Sequence, residues 1–328
     1  MKVLQRRICK LNNIPIVFSF DENFILPASI AIKSLLEHKS ANTEYEIFVL
    51  YNGLDTKVKR KFEEIAKINW IDIDDNRFKD CPVSDIWNSL VYYRLLIPEL
   101  LPQYNKIIYS DVDVLFKSDL SEVFNQNIDD YYWAGIIAEK NTPETICHEY
   151  FPENKNEFIY MTGFMLINCK KMREDNIIEK IFDNIKIFDK RLKFFDLDLL
   201  NITCNKITSV PFEYCVLENI YSDFLIQNAK EYAFLSKVYG DEELTKAKDN
   251  PKIIHYAGGN EKIWNRSTIE IPQYYLDYIK QSPFYDKNLF YKTIKGLCLK
   301  LLYLTFSKFS LNKNVRHKYR KKLNKFRY

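Results

Sequence analysis

Glycine is scarce here, with seven in 328 residues, against 23 tyrosines and 23 phenylalanines. That ratio excludes low-complexity or linker character over the first 260 or so residues. The seven cysteines, at positions 9, 81, 147, 169, 204, 215 and 298, are odd in number, scattered, and form no C-x-x-C pair. Neither a disulfide framework nor a zinc knuckle is therefore indicated, and a reducing compartment is expected. No window offers the ~18 uncharged apolar residues of a membrane-spanning helix. The apolar run IPIVFSF near the start breaks at Asp21 with no small-residue cleavage site after it, so no signal peptide is expected. No internal repeat is visible. What remains, at 47% hydrophobic and 28% charged residues, is the composition of a soluble protein with a sizeable core, in one large domain or one and a half.

Charge is unevenly spread. Residues 291 to 328 hold twelve Lys/Arg and no Asp/Glu, which leaves 36 basic against 44 acidic residues in the body, a net of −8. Ile294, Leu297, Cys298, Leu301, Leu302, Phe306 and Phe309 recur at helical spacing. Lys313, Arg316, Lys318, Arg320, Lys321, Lys322, Lys325 and Arg327 follow, interleaved with Tyr319, Phe326 and Tyr328. Such a segment suits an interfacial helix on an anionic membrane, at roughly 1 kcal/mol per basic residue near the surface. Nucleic acid is the competing partner for basic and aromatic residues, and a solvated, frayed terminus is the plainest alternative.

The body alternates. IPIVFSF (14 to 20) and YEIFVLY (45 to 51) read as strands; ASIAIKSLLEH (28 to 38) and TKVKRKFEEIAKI (56 to 68) read as helices. A short WIDI strand, a helix around NSLVYYRLLIPELL and the strand KIIYSD come next. Alternation of this kind predicts a parallel sheet covered on both faces, with ligands beyond the carboxyl ends of its strands. Asp21 and Asp111 fall at such ends.

The stretch NKIIYSDVDVLF (105 to 116) sets Asp111 and Asp113 in an otherwise apolar run, and a buried carboxylate without a partner is costly. Strand alternation would point both side chains the same way. Two carboxylates on one edge suit Mg²⁺ or Mn²⁺, the hard cations that bridge proteins to phosphate oxygens. A bare D-x-D also occurs in exposed turns; the apolar flanks argue against that here.

NSLVYYRLLIPELLPQYNKIIYSDVDVLF resembles the signature region of glycosyltransferase family eight, the retaining sugar-nucleotide transferases that include lipopolysaccharide hexosyltransferases and glycogenin-like enzymes. IPIVFSFDENFILPASIAIKSLL resembles the family's opening strand and nucleotide-binding turn. YMTGFMLINCKKMR resembles its second core strand, FFDLDLLN the segment near the reacting sugar, and HYAGGNEKIWN its closing His-Gly-Lys-Trp motif. All occur in the family's order over roughly residues 14 to 265.

The resemblance implies an α/β fold: a Rossmann-like nucleotide-binding mixed sheet with helices on both faces, the single-domain A-type glycosyltransferase fold, followed by the basic amphipathic tail. The domain expectation is a catalytic domain over 1–265, a connecting segment over 266–290 and the membrane-associating tail over 291–328. The resemblance also implies a UDP-sugar donor and a divalent cation, usually Mn²⁺ with Mg²⁺ possible, held by Asp111, Asp113 and His255. A lone histidine is more often a hydrogen-bonded core residue; Gly258 and Lys262 give this one its context. Asp21, Asn23 and Phe24 match positions that hold the uridine, though an Asp before a helix is also a cap. Arg94 matches a charge-assisted donor near the nucleotide, with a surface ion pair as the alternative. Ser19, Val112, Gly258 and Lys262 complete the nucleotide-sugar set. Asp196, Asp198 and Lys262 are the expected catalytic residues, with Asp196 on the hydroxyls of donor or acceptor.

Several residues depart from the family pattern. Leu197 stands where the family generally has glutamine, Met161 where it has asparagine, and Ile263 where it has proline. One residue is added between Gly258 and Lys262. The implied reaction is front-face transfer, in which the leaving phosphate takes the acceptor's proton and no strong protein nucleophile is needed. Two other readings fit some of the residues: a haloacid-dehalogenase-like phosphatase using D-x-D-x-V, and a sugar-nucleotide binder without turnover. The expected partners are a UDP-hexose (glucose or galactose), a saccharide or glycolipid acceptor such as lipopolysaccharide, and an anionic membrane; nucleic acid is not expected. The expected location is cytoplasmic, peripheral to the inner face of the membrane. Removing residues 291 to 328 should release the protein from anionic vesicles in a sedimentation assay with little change in donor hydrolysis; continued co-sedimentation would refute the membrane role.

Overall fold

Eight residues, NNIPIVFS, form a strand whose last six side chains are buried. A near-continuous apolar run is what a strand covered on both faces requires. A computed structural model describes residues 12–84, 87–258, 262–266, 270–286 and 298. Among them the strands are β1 (Asn12–Ser19), β2 (Thr43–Tyr51), β3 (Ile68–Asp72), β4 (Lys106–Ser110), β5 (Val114–Phe116), β6 (Trp133–Lys140), β7 (Phe158–Asn168), β8 (Ile207–Ser209), β9 (Val216–Leu217) and β10 (Ile253–His255).

Seven of these strands form one sheet in the order β3-β2-β1-β4-β7-β6-β8. The half β3-β2-β1-β4 is parallel, as the alternation of strands and helices predicts. Beyond it the parallel sheet expected from alternation alone gives way to the mixed sheet that the family resemblance implies: β7 runs antiparallel to both β4 and β6, and only β8 restores a parallel pair. The sheet is therefore mixed. The helix Ile25–Glu37 connects β1 to β2 and buries Pro27, Ala28, Ile30, Ala31, Ile32 and Leu35. Its Ser34 hydroxyl donates to the Ala31 carbonyl at 2.9 Å and accepts from the Phe116 N–H at 3.1 Å, tying the helix to β5.

The segment NSLVYYRLLIPELL is a tighter coil than its apolar spacing predicts. Asn88 caps a 3-10 helix, Ser89–Leu96, by accepting from the Leu90 N–H, and only Ile97–Leu100 is α-helical. Three residues per turn changes which side chains share a face, and Tyr92 to Leu96 are all buried.

A second sheet of three strands has the order β5-β10-β9. β10 runs antiparallel to β5, pairing His255 with Val114, and parallel to β9, pairing His255 with Leu217. Residues 111–113 thus form a break between β4 in the large sheet and β5 in the small one. Two backbone bonds hold this joint: Asp111 N–H to the Gly163 carbonyl and Tyr256 N–H to the Asp113 carbonyl, both 2.8 Å.

The chain divides into two compact units after Ala257. Both sheets belong to the first. In the second, a 3-10 turn, Ile263–Asn265, buries Trp264, and the helix Gln273–Gln281 buries Tyr275 and Ile279. The basic tail lies outside the described residues except for Cys298, which is exposed.

Candidate active site

Asp111, Asp113 and His255 come together at the joint between the two sheets. One ligand atom from each lies within 4.8 Å of the others, the one such group of Asp, Glu, His or Cys among the described residues. The convergence has a different cause from the strand alternation expected for D-x-D. Residues 111–113 are a bend, and the two carboxylates meet because β10 pairs with β5 and delivers His255 beside both. His255 Nε2 lies 3.1 Å from Asp113 Oδ1 and 3.8 Å from Asp111 Oδ2. Burial works against charge on this imidazole, but Cys215 and Asp113 outweigh it, and its pKa stands well above the ordinary value.

Room for this cluster depends on Gly163 in β7. A Cβ built there would meet His255 Cε1 at 2.5 Å and Asp111 Oδ2 at 3.0 Å. Two carboxylates and an imidazole are a donor set for Mg²⁺ or Mn²⁺. Oxygens about 2.1 Å from a common cation lie roughly 3 to 4 Å from one another, so the residues fit such an ion.

Asp111 divides its two oxygens between two tasks. Oδ2 faces His255, while Oδ1 accepts from Arg94 Nη2 and from the Tyr109 hydroxyl, both at 2.9 Å. Tyr109 in turn lies 3.1 Å from Ser19 Oγ, which brings that expected site residue into the network. Arg94 is 8% exposed, and its Nη1 donates to the Thr162 carbonyl at 2.9 Å and contacts Asp196 Oδ2 at 3.2 Å. The guanidinium also lies over the Tyr109 ring, 4.4 Å from its centroid. Burial disfavours the charge of Arg94, and the carboxylates of Asp111 and Asp196 more than restore it, so its pKa is raised. The surface ion pair weighed from sequence is excluded by this burial.

Asp196 opens the helix Asp196–Thr203 and accepts from the Thr162 hydroxyl at 2.7 Å. Burial raises its pKa, with Arg94 opposing. The residue before it, Phe195, has φ +45°, a left-handed conformation that side chains larger than Asn or Asp rarely adopt. Asp198 is turned to the chain's own backbone: its Oδ2 accepts from the N–H groups of Lys193 and Phe194, both at 2.7 Å. Burial pushes its pKa up to about 6 against those two bonds. No hydrogen bond or ion pair among the described residues joins Asp198 to Arg94 or to the Asp111 cluster.

At the other end of the site Asp21 accepts from the Asn23 N–H at 2.9 Å, so it does cap the short 3-10 turn Glu22–Phe24. Its second oxygen accepts from the Asn88 side chain at 3.0 Å. Asn88, the cap of the segment carrying Arg94, thereby links the Asp21 turn to the arginine network. Asn23 is exposed, Phe24 half-buried, and Val112 buried between the two acids. Gly258, with φ +98°, and Lys262, whose Nζ lies 5.8 Å from the Trp264 ring centroid, belong to the second unit.

Sequence reasoning missed Tyr109, Thr162, Gly163, Asn88 and Cys215. Tyr109 was within reach, since it precedes Asp111 by two residues on a strand. Gly163 carries a signal in a chain so poor in glycine. Asn88 and Cys215 act through residues distant in sequence and carry no local signal.

The parallel half of a mixed sheet thus ends at a carboxylate and imidazole cluster backed by a buried arginine. Residues 15–268 match the model of Glycosyl transferase family 8, so the chain belongs to that family and to the hexosyltransferase class of enzymes. It is 26% identical to a lipopolysaccharide 1,2-glucosyltransferase of Escherichia coli, over 84% of this chain and 80% of that one. Identity to general stress protein A of Bacillus subtilis is also 26%, over 77% and 88% of the two chains. The galactosyltransferase LgtC, solved with donor and acceptor sugar analogs, has the same fold, with a TM-score of 0.69 at 19% identity over 84% of this chain and 98% of that one. The phosphatase reading is not favoured: it needs Asp111 as nucleophile, and the Asp111 Oδ1 is already held by Arg94 and Tyr109.

Gly163→Ala should displace His255 or Asp111 by several tenths of an ångström. A fall in divalent-cation affinity of at least tenfold by calorimetry, with far-ultraviolet dichroism unchanged, is the expected outcome; unchanged affinity would show that the cradle is not needed.

Proposed function

We propose that the protein is a retaining transferase that moves a hexosyl group from a UDP-sugar to a saccharide acceptor of a bacterial surface glycan. The observation that carries this reading is the division of Asp111 between the carboxylate and imidazole cluster and the buried Arg94. Asp111 Oδ2, Asp113 and His255 Nε2 hold a divalent cation, Mn²⁺ by expectation with Mg²⁺ as the alternative. When bound, the ion supplies positive charge to the phosphate that gathers negative charge as UDP leaves. Arg94 keeps Asp111 in one orientation and adds positive charge behind it.

In the proposed reaction the bond between the sugar's C1 and the phosphate oxygen breaks while the acceptor oxygen bonds to C1 from the same face. The acceptor's proton goes to the departing phosphate oxygen. Asp21, Asn23 and Phe24 take the uridine, Ser19 supports Asp111 through Tyr109, and Gly258 and Lys262 serve the pyrophosphate. Asp196, aligned by Thr162 and Arg94, receives sugar hydroxyls; Asp198 supports the turn that presents it. The catalytic domain is taken as residues 1–265. The working location is the cytoplasmic face of the membrane, reached through the basic tail beyond the 266–290 segment. A lipopolysaccharide acceptor is suggested by the name of the Escherichia coli relative, and glucose or galactose are the donors to try first.

Two half-exposed aromatic rings supply the surface expected of an acceptor site. Trp87 and Phe194, each 38% exposed, lie 6.2 Å apart, and Trp87 is 6.1 Å from Phe195, the neighbour of Asp196. Apolar faces of sugar rings stack on such side chains while their hydroxyls reach polar partners.

Two measurements test these assignments. In calorimetry, UDP should bind only with Mn²⁺ or Mg²⁺ present, and Asp113→Ala should abolish that cation-dependent binding without unfolding the protein; retained cation-dependent UDP affinity in the variant would refute the ligand assignment. In steady-state transfer assays, Trp87→Ala and Phe194→Ala should raise the acceptor KM about tenfold and leave the KM for donor within a factor of two, a loss at the low end of the roughly 1–3 kcal/mol that a nucleic-acid base gains by stacking on an aromatic side chain. An unchanged acceptor KM would remove the aromatic pair from the site.

A further inference from the structure

Cys215 immediately precedes β9, the strand that runs parallel to β10 and its terminal His255. It is 1% exposed, and its Sγ lies 3.2 Å from His255 Nδ1. The opposite ring nitrogen, Nε2, faces Asp113 at 3.1 Å and Asp111 at 3.8 Å. The imidazole is therefore held between a thiol on one side and the carboxylate pair on the other. We propose that Cys215 is a positioning residue for the cation site, setting the orientation and tautomer of His255. The proposal rests on the assignment of His255 as a cation ligand.

The physical case concerns where the ring's hydrogen sits. A neutral imidazole carries one N–H, and a cation on Nε2 requires that hydrogen to be on Nδ1. At a buried position an N–H without an acceptor is destabilising. The Cys215 sulfur supplies that acceptor. Without the cation, His255 Nε2 faces Asp113 and Nδ1 still faces the Cys215 sulfur. The sulfur can therefore accept from Nδ1–H in both states, and the ring keeps one orientation before and after a cation arrives. Cation-binding histidines generally have such a partner on the second nitrogen, and its loss typically weakens affinity by about 10- to 100-fold.

Cys215→Ala removes the partner, Cys215→Ser restores a group that both donates and accepts, and Cys215→Val fills the position with a slightly larger apolar group that makes no hydrogen bond. Each full-length variant is titrated with Mn²⁺, reading free ion by its paramagnetic resonance signal, and melted in the presence of EDTA. The expected result is Mn²⁺ affinity reduced about 10- to 100-fold in the alanine and valine variants and largely retained with serine, independent of the order of the melting temperatures. Valine carries the test if the alanine variant does not fold. Equal affinity in the valine variant and the wild type would overturn the proposal, as would a loss with serine as large as that with valine. Absence of Mn²⁺ binding by the wild type would instead overturn the cation assignment, and this proposal with it.

Discussion

The guanidinium of Arg94 is the charge around which the first unit is arranged. A buried cation is tolerated only with paired carboxylates and satisfied hydrogen bonds. Here the partners come from three separate places: Asp111 after β4, the Thr162 carbonyl in β7, and Asp196 at the head of a helix. Removing any one carboxylate would leave a buried charge short of compensation, at a cost of several kcal/mol. The segment carrying Arg94 is wound as a 3-10 helix whose start is capped by Asn88.

From that point the site extends across a joint between two sheets. The large sheet supplies Asp111 through β4 and the Gly163 cradle through β7; the small one supplies His255 through β10. The antiparallel pairing of β7 with β4 lays Gly163 beside Asp111, and the pairing of β10 with β5 lays His255 beside Asp113. Neither element is near its partner in sequence, with 142 residues separating Asp113 from His255. The donor set is therefore a property of the sheet register. A one-residue slip in either pairing would turn the side chains to the opposite face.

Much of this was readable from residues. The parallel half of the sheet follows from the alternation of apolar strands with amphipathic helices, and Asp111 and Asp21 stand at strand ends as that alternation predicts. The stretch itself marked Asp113, and the resemblance to family eight singled out His255 and Arg94, which lie beside the two aspartates. What the residues concealed is instructive. The antiparallel course of β7 depends on a long connection whose direction no local pattern encodes. Strand periodicity suggested a reason for the convergence of Asp111 and Asp113 that the bend between β4 and β5 replaces. Asp196 and Asp198 were both expected among the catalytic residues, yet a helix start places them on different sides, one facing Arg94 and the other its own backbone. Partners such as Asn88 and Cys215 are selected by tertiary proximity alone.

The left-handed backbone at Phe195 has an evolutionary side. A non-glycine residue with φ +45° costs on the order of 1–3 kcal/mol, and replacement by glycine would relieve it. Yet glycine would also free the hinge that aims Asp196 at Arg94 and would remove a ring packed against Trp87 and Tyr92. Sequence drift toward greater stability and the demand for a fixed Asp196 therefore pull in opposite directions at this residue.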